Sequence, residues 1–426
     1  MSAAGDRTRQ FFRSSDGRIY EGWITVLASA TVTAVAVGSV AYGLGAIFEP
    51  IRTELGWSTL FVSLGFGLRS EVGGLAAPLV GSALDSVGPR RVARAGVLVS
   101  TAGILSLSYV QTRWQFLPAM ALIAIGSTAA GGQVGHHAVA TWFKARRGRA
   151  MSLMTLGGAA GGLSSVLVAT GVESVGWRVP LRWMALAMLV FGLALTRWIR
   201  ARPVHHPQPI DGVELASGSP TRAVEWNVPY REAIRSSAFA RILSFNLAAD
   251  FGRLAYLTHL VAFVDRDLGS AGVAAGVTLT VSTLASAPGR VASGFLIDRY
   301  PVRRVAAVTM APFAVGTLLL ALSTEPWHAY GAAVLGGIGF GASIPVRPAM
   351  YVEYFGLASF GRIMGMGRLA STTAGFLGGV SVGWIVDRAD GSYTIGWLVV
   401  TAVVLASIPL MLAARPPDDL QAQFSS

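Results

Sequence analysis

Five ionisable residues in the second half of the chain have the types and settings to hold an anion or move a proton. Asp250 and Arg253 stand three apart within one apolar run, and His259 follows in the same run. Arg290 interrupts the next run and Arg368 a later one. An arginine fork can grip both oxygens of a carboxylate and keeps its charge at every accessible pH. Asp250 and Arg253 fall on one helical face and can pair directly. A buried carboxylate in such a pair takes up a proton when the arginine withdraws, so Asp250 is a candidate for proton coupling. His259 reads first as a satisfied polar contact and second as a proton relay. Charges inside apolar spans are costly and mark function by default. Arg290 lies eight residues before Asp298, about 12 Å along a helix, and Arg368 lies six past Arg362, about 9 Å.

Other polar residues in apolar runs read less sharply. Arg69 and Glu71 are two apart and point to different sides of a helix, so at least one faces a partner helix or a cavity. His136 and His137 are adjacent and diverge by about 100°, which argues against a shared metal. Arg347, between Pro345 and Pro348, sits near enough to a helix end to be an interface residue. No cysteine is present and Lys144 is the sole lysine, so thiol chemistry and most lysine chemistry are excluded. The stretches LGGAAGG (156–162) and GGIGFGAS (336–343) follow no strand and carry no Walker lysine. Small residues spaced by four serve close helix packing instead. No catalytic residue, metal site or cofactor is expected.

A second group of charges punctuates the chain in duplicate. GSALDSVGPRR (81–91) returns as GFLIDRYPVRR (294–304), with Asp85, Arg90 and Arg91 matching Asp298, Arg303 and Arg304 at an offset of 213, half of the 426 residues. The same offset relates GRAM (148–151) to GRIM (361–364). A carboxylate at the C-terminal end of a helix meets the unfavourable pole of the dipole, so each aspartate implies a partner. Loop arginines or a neighbouring helix N-terminus would serve, in a latch that breaks when one side of the protein opens.

The elements that must carry these groups follow from composition. The chain is 53% hydrophobic and 13% charged, about half the usual charged fraction. Runs of about 20 apolar residues recur, each long enough to span a bilayer. Twelve spans are expected at 22–48, 57–84, 92–111, 114–138, 149–172, 177–198, 239–264, 271–297, 303–323, 327–350, 362–386 and 392–413. With the internal repeat they define an all-α polytopic membrane protein of two parallel six-helix halves, 1–198 and 239–426. The Pro-, Gly- and Ser-rich segment 199–238 reads as a cytoplasmic linker, in which His205 and His206 bind nothing and YREAIRSSAFA forms a short surface helix. The net charge of +12 gathers at the N-terminus, including Arg7 and Arg9, in the loops after even-numbered spans and at the C-terminus. That distribution excludes a nucleic-acid partner and predicts cytoplasmic termini in a cell membrane.

The G-x-x-x-D-x-x-G-x-R-R loop between the second and third spans resembles the signature loop of the major facilitator superfamily, with Pro301 replacing the glycine in the second copy. EGWITVLAS (21–29), ATWFKARRGRAMSLMTLGGAAGG and GRVASGFLIDR resemble the monocarboxylate and oxalate/formate branch. The resemblance implies spans one, four, seven and ten around a central cavity, and matches Arg290 to an arginine that binds the transported anion. Two positions depart from it. Ser286 stands where transporters of the animal type carry an aspartate, and the first span holds no lysine. The expected function is secondary active transport of a small mono- or dicarboxylate by alternating access, coupled to protons or run by exchange, by a monomer. Export of drug-like or amphipathic compounds is the alternative, and a non-transporting membrane sensor the weakest reading. Saturable uptake of an acid separates the first from the second, and flux of any kind excludes the third.

Overall fold

The computed structural model describes residues 12–14, 17–38, 40, 43–161, 163–212, 227–270, 273–417 and 423. Helical segments occupy all twelve expected spans, and eight helices among the described residues are long and apolar enough to cross a membrane. The chain divides into two compact units. One comprises residues 1–225 with 357–365 and Ser426, the other 226–356 with 366–425.

In the first unit, α1 (Glu21–Thr33) runs into a π turn at Ala34–Gly38. A 3-10 turn at Gly43–Ile47 then leads into α2 (Phe48–Glu54). The first expected span is thus broken, in a stretch where Gly38, Gly43, Gly45 and β-branched residues weaken helix propensity. The long α3 (Thr59–Val87) starts at Ser58, whose hydroxyl accepts from the Phe61 amide at 3.3 Å. α4 (Pro89–Ser108) packs on α5 (Arg113–Ala130) through glycines. A Cβ on Gly126 would stand 2.2 Å from the Ser100 nitrogen, and one on Gly96 2.3 Å from that of Ala130. The fourth span breaks at Gly131, whose extended backbone separates α5 from α6 (Gly132–Trp142). α7 (Arg147–Ala160), α8 (Leu163–Val175) and α9 (Arg178–Ala187, continued through a π turn to Leu195) complete the unit.

Part of the expected linker is folded onto this unit; residues 213–226 of it, like Arg7 and Arg9, lie outside the described residues. Asp211 is buried and adopts φ 61°, a conformation that aspartate tolerates better than most residues. Its carboxylate accepts from the backbone amides of Lys144 at 3.1 Å, Ala145 at 2.9 Å and Arg146 at 3.0 Å, in the turn before α7. Gln208 accepts from the Glu21 amide at 3.0 Å and donates to the Ile19 carbonyl at 3.2 Å. The Trp142 indole donates to the Arg200 carbonyl at 2.9 Å, while the Tyr20 hydroxyl donates to the Trp142 carbonyl at 2.6 Å. Burial pushes the Tyr20 phenol above its ordinary pKa and keeps it a donor. His206 lies edge-on to Trp142, with Nε2 3.5 Å from the Glu21 carboxylate, so its role is structural.

The second unit begins with the short α10 (Tyr230–Arg235). α11 (Ser237–Arg266) follows, capped by the Ser236 hydroxyl on the Phe239 amide at 3.1 Å. Then come α12 (Val273–Ile297), α13 (Val302–Ala321), α14 (Pro326–Phe355), α15 (Phe360–Arg388, whose residues up to Gly365 belong to the first unit) and α16 (Thr394–Leu412). α12 and α14 approach closely: Cβ atoms on Gly337 and Gly341 would lie 2.2 and 2.3 Å from the carbonyl oxygens of Ser282 and Ser286. Small residues at such crossings supply the van der Waals contact that drives helix association in lipid.

Asp211→Ala should destabilise the first unit by about 2 kcal/mol or more, because buried amide donors lose their acceptor. Thermal unfolding in detergent measures this, and Asp211→Asn, which keeps one acceptor oxygen, should recover part of the loss.

Candidate functional site

The second unit gathers Asp250, Arg253 and a third charge, Arg347, at one place. On α11, Asn246, Asp250 and Arg253 recur at spacings of four and three and so share a face. Asp250 is 2% exposed. Arg253 directs Nε and Nη2 onto its Oδ1 at 3.1 and 2.8 Å. From α14, Arg347 places Nη2 2.6 Å from Oδ2 and Nε 3.2 Å from the Asn246 side-chain oxygen. The Asn246 amide donates in turn to the Tyr351 hydroxyl at 3.1 Å. A Cβ on Gly367 of α15 would stand 2.1 Å from that hydroxyl, so glycine makes room for it. Two guanidiniums around one carboxylate leave a surplus of one positive charge.

The pairing of Arg347 with Asp250 and Asn246 is the feature of this cluster that the sequence does not announce. The tenth span was expected to end at residue 350, but α14 continues to Phe355. Arg347 therefore lies about 12 Å from the helix end, two turns inside α14. Its spacing of four from Tyr351, and the two flanking prolines that lack backbone donors, are the signals that could have found it.

Arg290 is 6% exposed on α12. Ser282 meets Gly337 and Gly289 meets Ile338, so α12 and α14 run side by side with Arg290 up to about two turns short of the level of Arg347. Arg368 is exposed on α15. The His259 ring nitrogen Nε2 lies 2.8 Å from the Gly379 carbonyl and the ring packs beside Tyr393, so the structure places it outside the triad.

The duplicated loop residues fall elsewhere. In the first unit, the Asp85 carboxylate at the end of α3 accepts from the amides of Gly361 at 2.8 Å and Arg362 at 3.0 Å, the first turn of α15. Gln133 of α6 donates to the Gly361 carbonyl at 2.8 Å. A helix N-terminus offers unsatisfied donors and partial positive charge, which suits a carboxylate. Arg90 and Arg91 are exposed at the start of α4. In the second unit, Asp298 ends α12 half-buried, with Arg303 half-buried and Arg304 exposed in the first turn of α13.

Helical segments in every expected span of both halves, with charged side chains held inside them, are the architecture of a multi-pass membrane transporter. The chain belongs to the Major Facilitator Superfamily, whose family model matches residues 29–263 and again 242–425. It is 24% identical over 401 residues to "Monocarboxylate transporter 13" of Bos taurus, covering 92% of this chain and 88% of that one. It is 23% identical over 383 residues to the "Fujikurins efflux protein" of Gibberella fujikuroi, covering 86% and 77%. Among solved structures, a bacterial homologue of the iron transporter ferroportin superposes with a TM-score of 0.71 at 13% identity, over 92% of this chain and 98% of that one.

Asp250→Ala would remove the carboxylate that two partly exposed arginines share and should cost about 1–3 kcal/mol of stability. Replacing Asp250, Arg253 and Arg347 together by leucine or methionine should cost less than the single change, as thermal unfolding in detergent would show.

Proposed function

We propose that the protein is a secondary active transporter that carries a small organic anion, a mono- or dicarboxylate, across the cell membrane by alternating access. The observation that carries this reading is the cluster in the second unit where two arginines meet the buried Asp250, with Arg290 6% exposed on the adjacent α12. Fixed cations inside spans are tolerated when they serve a ligand or an ion pair, and at Asp250 two arginines share one carboxylate. The relative named as a monocarboxylate transporter supports the same substrate class. In this reading Arg290 anchors the carboxylate, Arg368 provides a second cation, and Asp250 is the group at which protons or exchange would couple. Both termini face the cytoplasm, and Asp85 with Asp298 and the neighbouring arginines act as gates. Asp85 does so by holding and releasing the first turn of α15.

Export of an amphipathic compound is the second reading. It is favoured by the similarity to a fungal efflux protein over 86% of this chain.

The deciding measurement is uptake of labelled lactate, pyruvate, oxalate and formate into proteoliposomes, with and without an inward proton gradient. Saturable uptake that falls at least tenfold in Arg290→Gln is expected; absence of uptake of every acid by correctly inserted protein would turn the assignment to export. Asp85→Asn should change the transport rate without changing substrate affinity, and an unaltered rate would remove the gate.

A further inference from the structure

The triad on α11 and α14 is asymmetric. Its anion is 2% exposed, whereas the side chains of Arg253 and Arg347 are 34% and 19% exposed. Both cations thus remain partly accessible while the carboxylate is covered. Arg253 directs two donors onto a single oxygen, and Arg347 divides its two between Asp250 and Asn246. Nη1 of neither arginine has a hydrogen-bond partner among the described residues. Arg347 is held from behind by Asn246, which is itself tied to Tyr351. Its fork therefore keeps its orientation when Asp250 lets go.

The two arginines also differ in what they connect. Arg253 and Asp250 belong to the same helix, at i and i+3, so their pairing survives any movement of α11. Arg347 reaches Asp250 from α14. Breaking that one bond frees a guanidinium for a ligand without stranding Asp250, because Arg253 still neutralises it. A lone buried pair could not be opened so cheaply, since its carboxylate would remain uncompensated.

We propose that Asp250 is a resident counter-ion which the carboxylate of the transported acid displaces from Arg347. Arg347 is then a direct anion-binding residue in addition to Arg290. Arg253 is a positioning residue that holds Asp250 while its place is taken. Because the displaced bond is the ion pair between α11 and α14, beside the hydrogen bonds of Asn246 to Arg347 and Tyr351, anion binding weakens the tie between these two helices. This inference rests on the organic-anion reading.

The test is equilibrium binding of radiolabelled oxalate and lactate to the purified full-length protein in detergent. Asp250→Asn removes the internal competitor and should tighten binding about tenfold, as expected when a larger fraction of the protein is competent. Arg347→Gln should weaken it about tenfold or more, and Arg347→Lys, a point charge without the fork, by less. In the double variant Asp250→Asn with Arg347→Gln, the gain from Asp250→Asn should vanish, because the cation it would have released is gone. Arg253→Gln should weaken binding although Arg253 does not touch the anion, and this variant decides the matter if Asp250→Asn does not fold. Equal or weaker binding by folded Asp250→Asn, or unchanged binding by Arg253→Gln, would overturn the exchange. Binding of either acid by the wild type with no change in any variant overturns this proposal alone. Absence of wild-type binding to both acids overturns it together with the reading beneath it.

Discussion

A charge placed inside a bilayer has no water to answer it, so the protein must supply the answer from its own side chains. That constraint organises the second unit. Asp250 needs cations, and Arg347 can reach it only if α14 lies against α11 at the right height. Once it does, Asn246 and Tyr351 fall into line along the same two helices. Pro345 and Pro348 loosen the backbone of α14 beside the site without ending the helix, which a buried neighbourhood of packed helices permits.

The same absence of water removes the hydrophobic drive between helices, and association must come from close contact. Glycines at the α12–α14 crossing bring backbone to backbone there. Gly367 plays a different part, since the space its missing side chain leaves is filled by the Tyr351 hydroxyl. Packing and polar chemistry are therefore not separate in this unit. A methyl group on Gly367 would push on a residue that orients Asn246 and, through it, Arg347.

Much of this architecture is legible in the amino-acid sequence, for physical reasons. Apolar runs of bilayer length announce spans, and the 213-residue repeat announces two related halves. The spacing of Asp250 and Arg253 places them on one face without further information. What the sequence hides are relations between distant segments and the true ends of helices. The partners of Arg347 are hidden because Asn246 and Asp250 stand 101 and 97 positions away in the chain. The break at Gly131 is invisible to any hydropathy window, since both flanks are apolar. The segment from Arg200 to Gly212 has the composition of a tether, yet Asp211, Gln208 and the carbonyl of Arg200 each answer a specific donor far away in the chain. Composition reports what a segment can do alone, and these residues act only in company.

The clasp at Asp211 also has a consequence for the order in which the protein comes into being. The amides of Lys144, Ala145 and Arg146 leave the ribosome some 65 residues before the carboxylate that accepts from them. Synthesis proceeds at roughly 5–20 residues per second, so these donors wait several seconds for their acceptor. During that interval these three amides have water as their acceptor. The first unit therefore closes this edge only after residue 211 has been made, and the segment that follows α9 acts as its fastening.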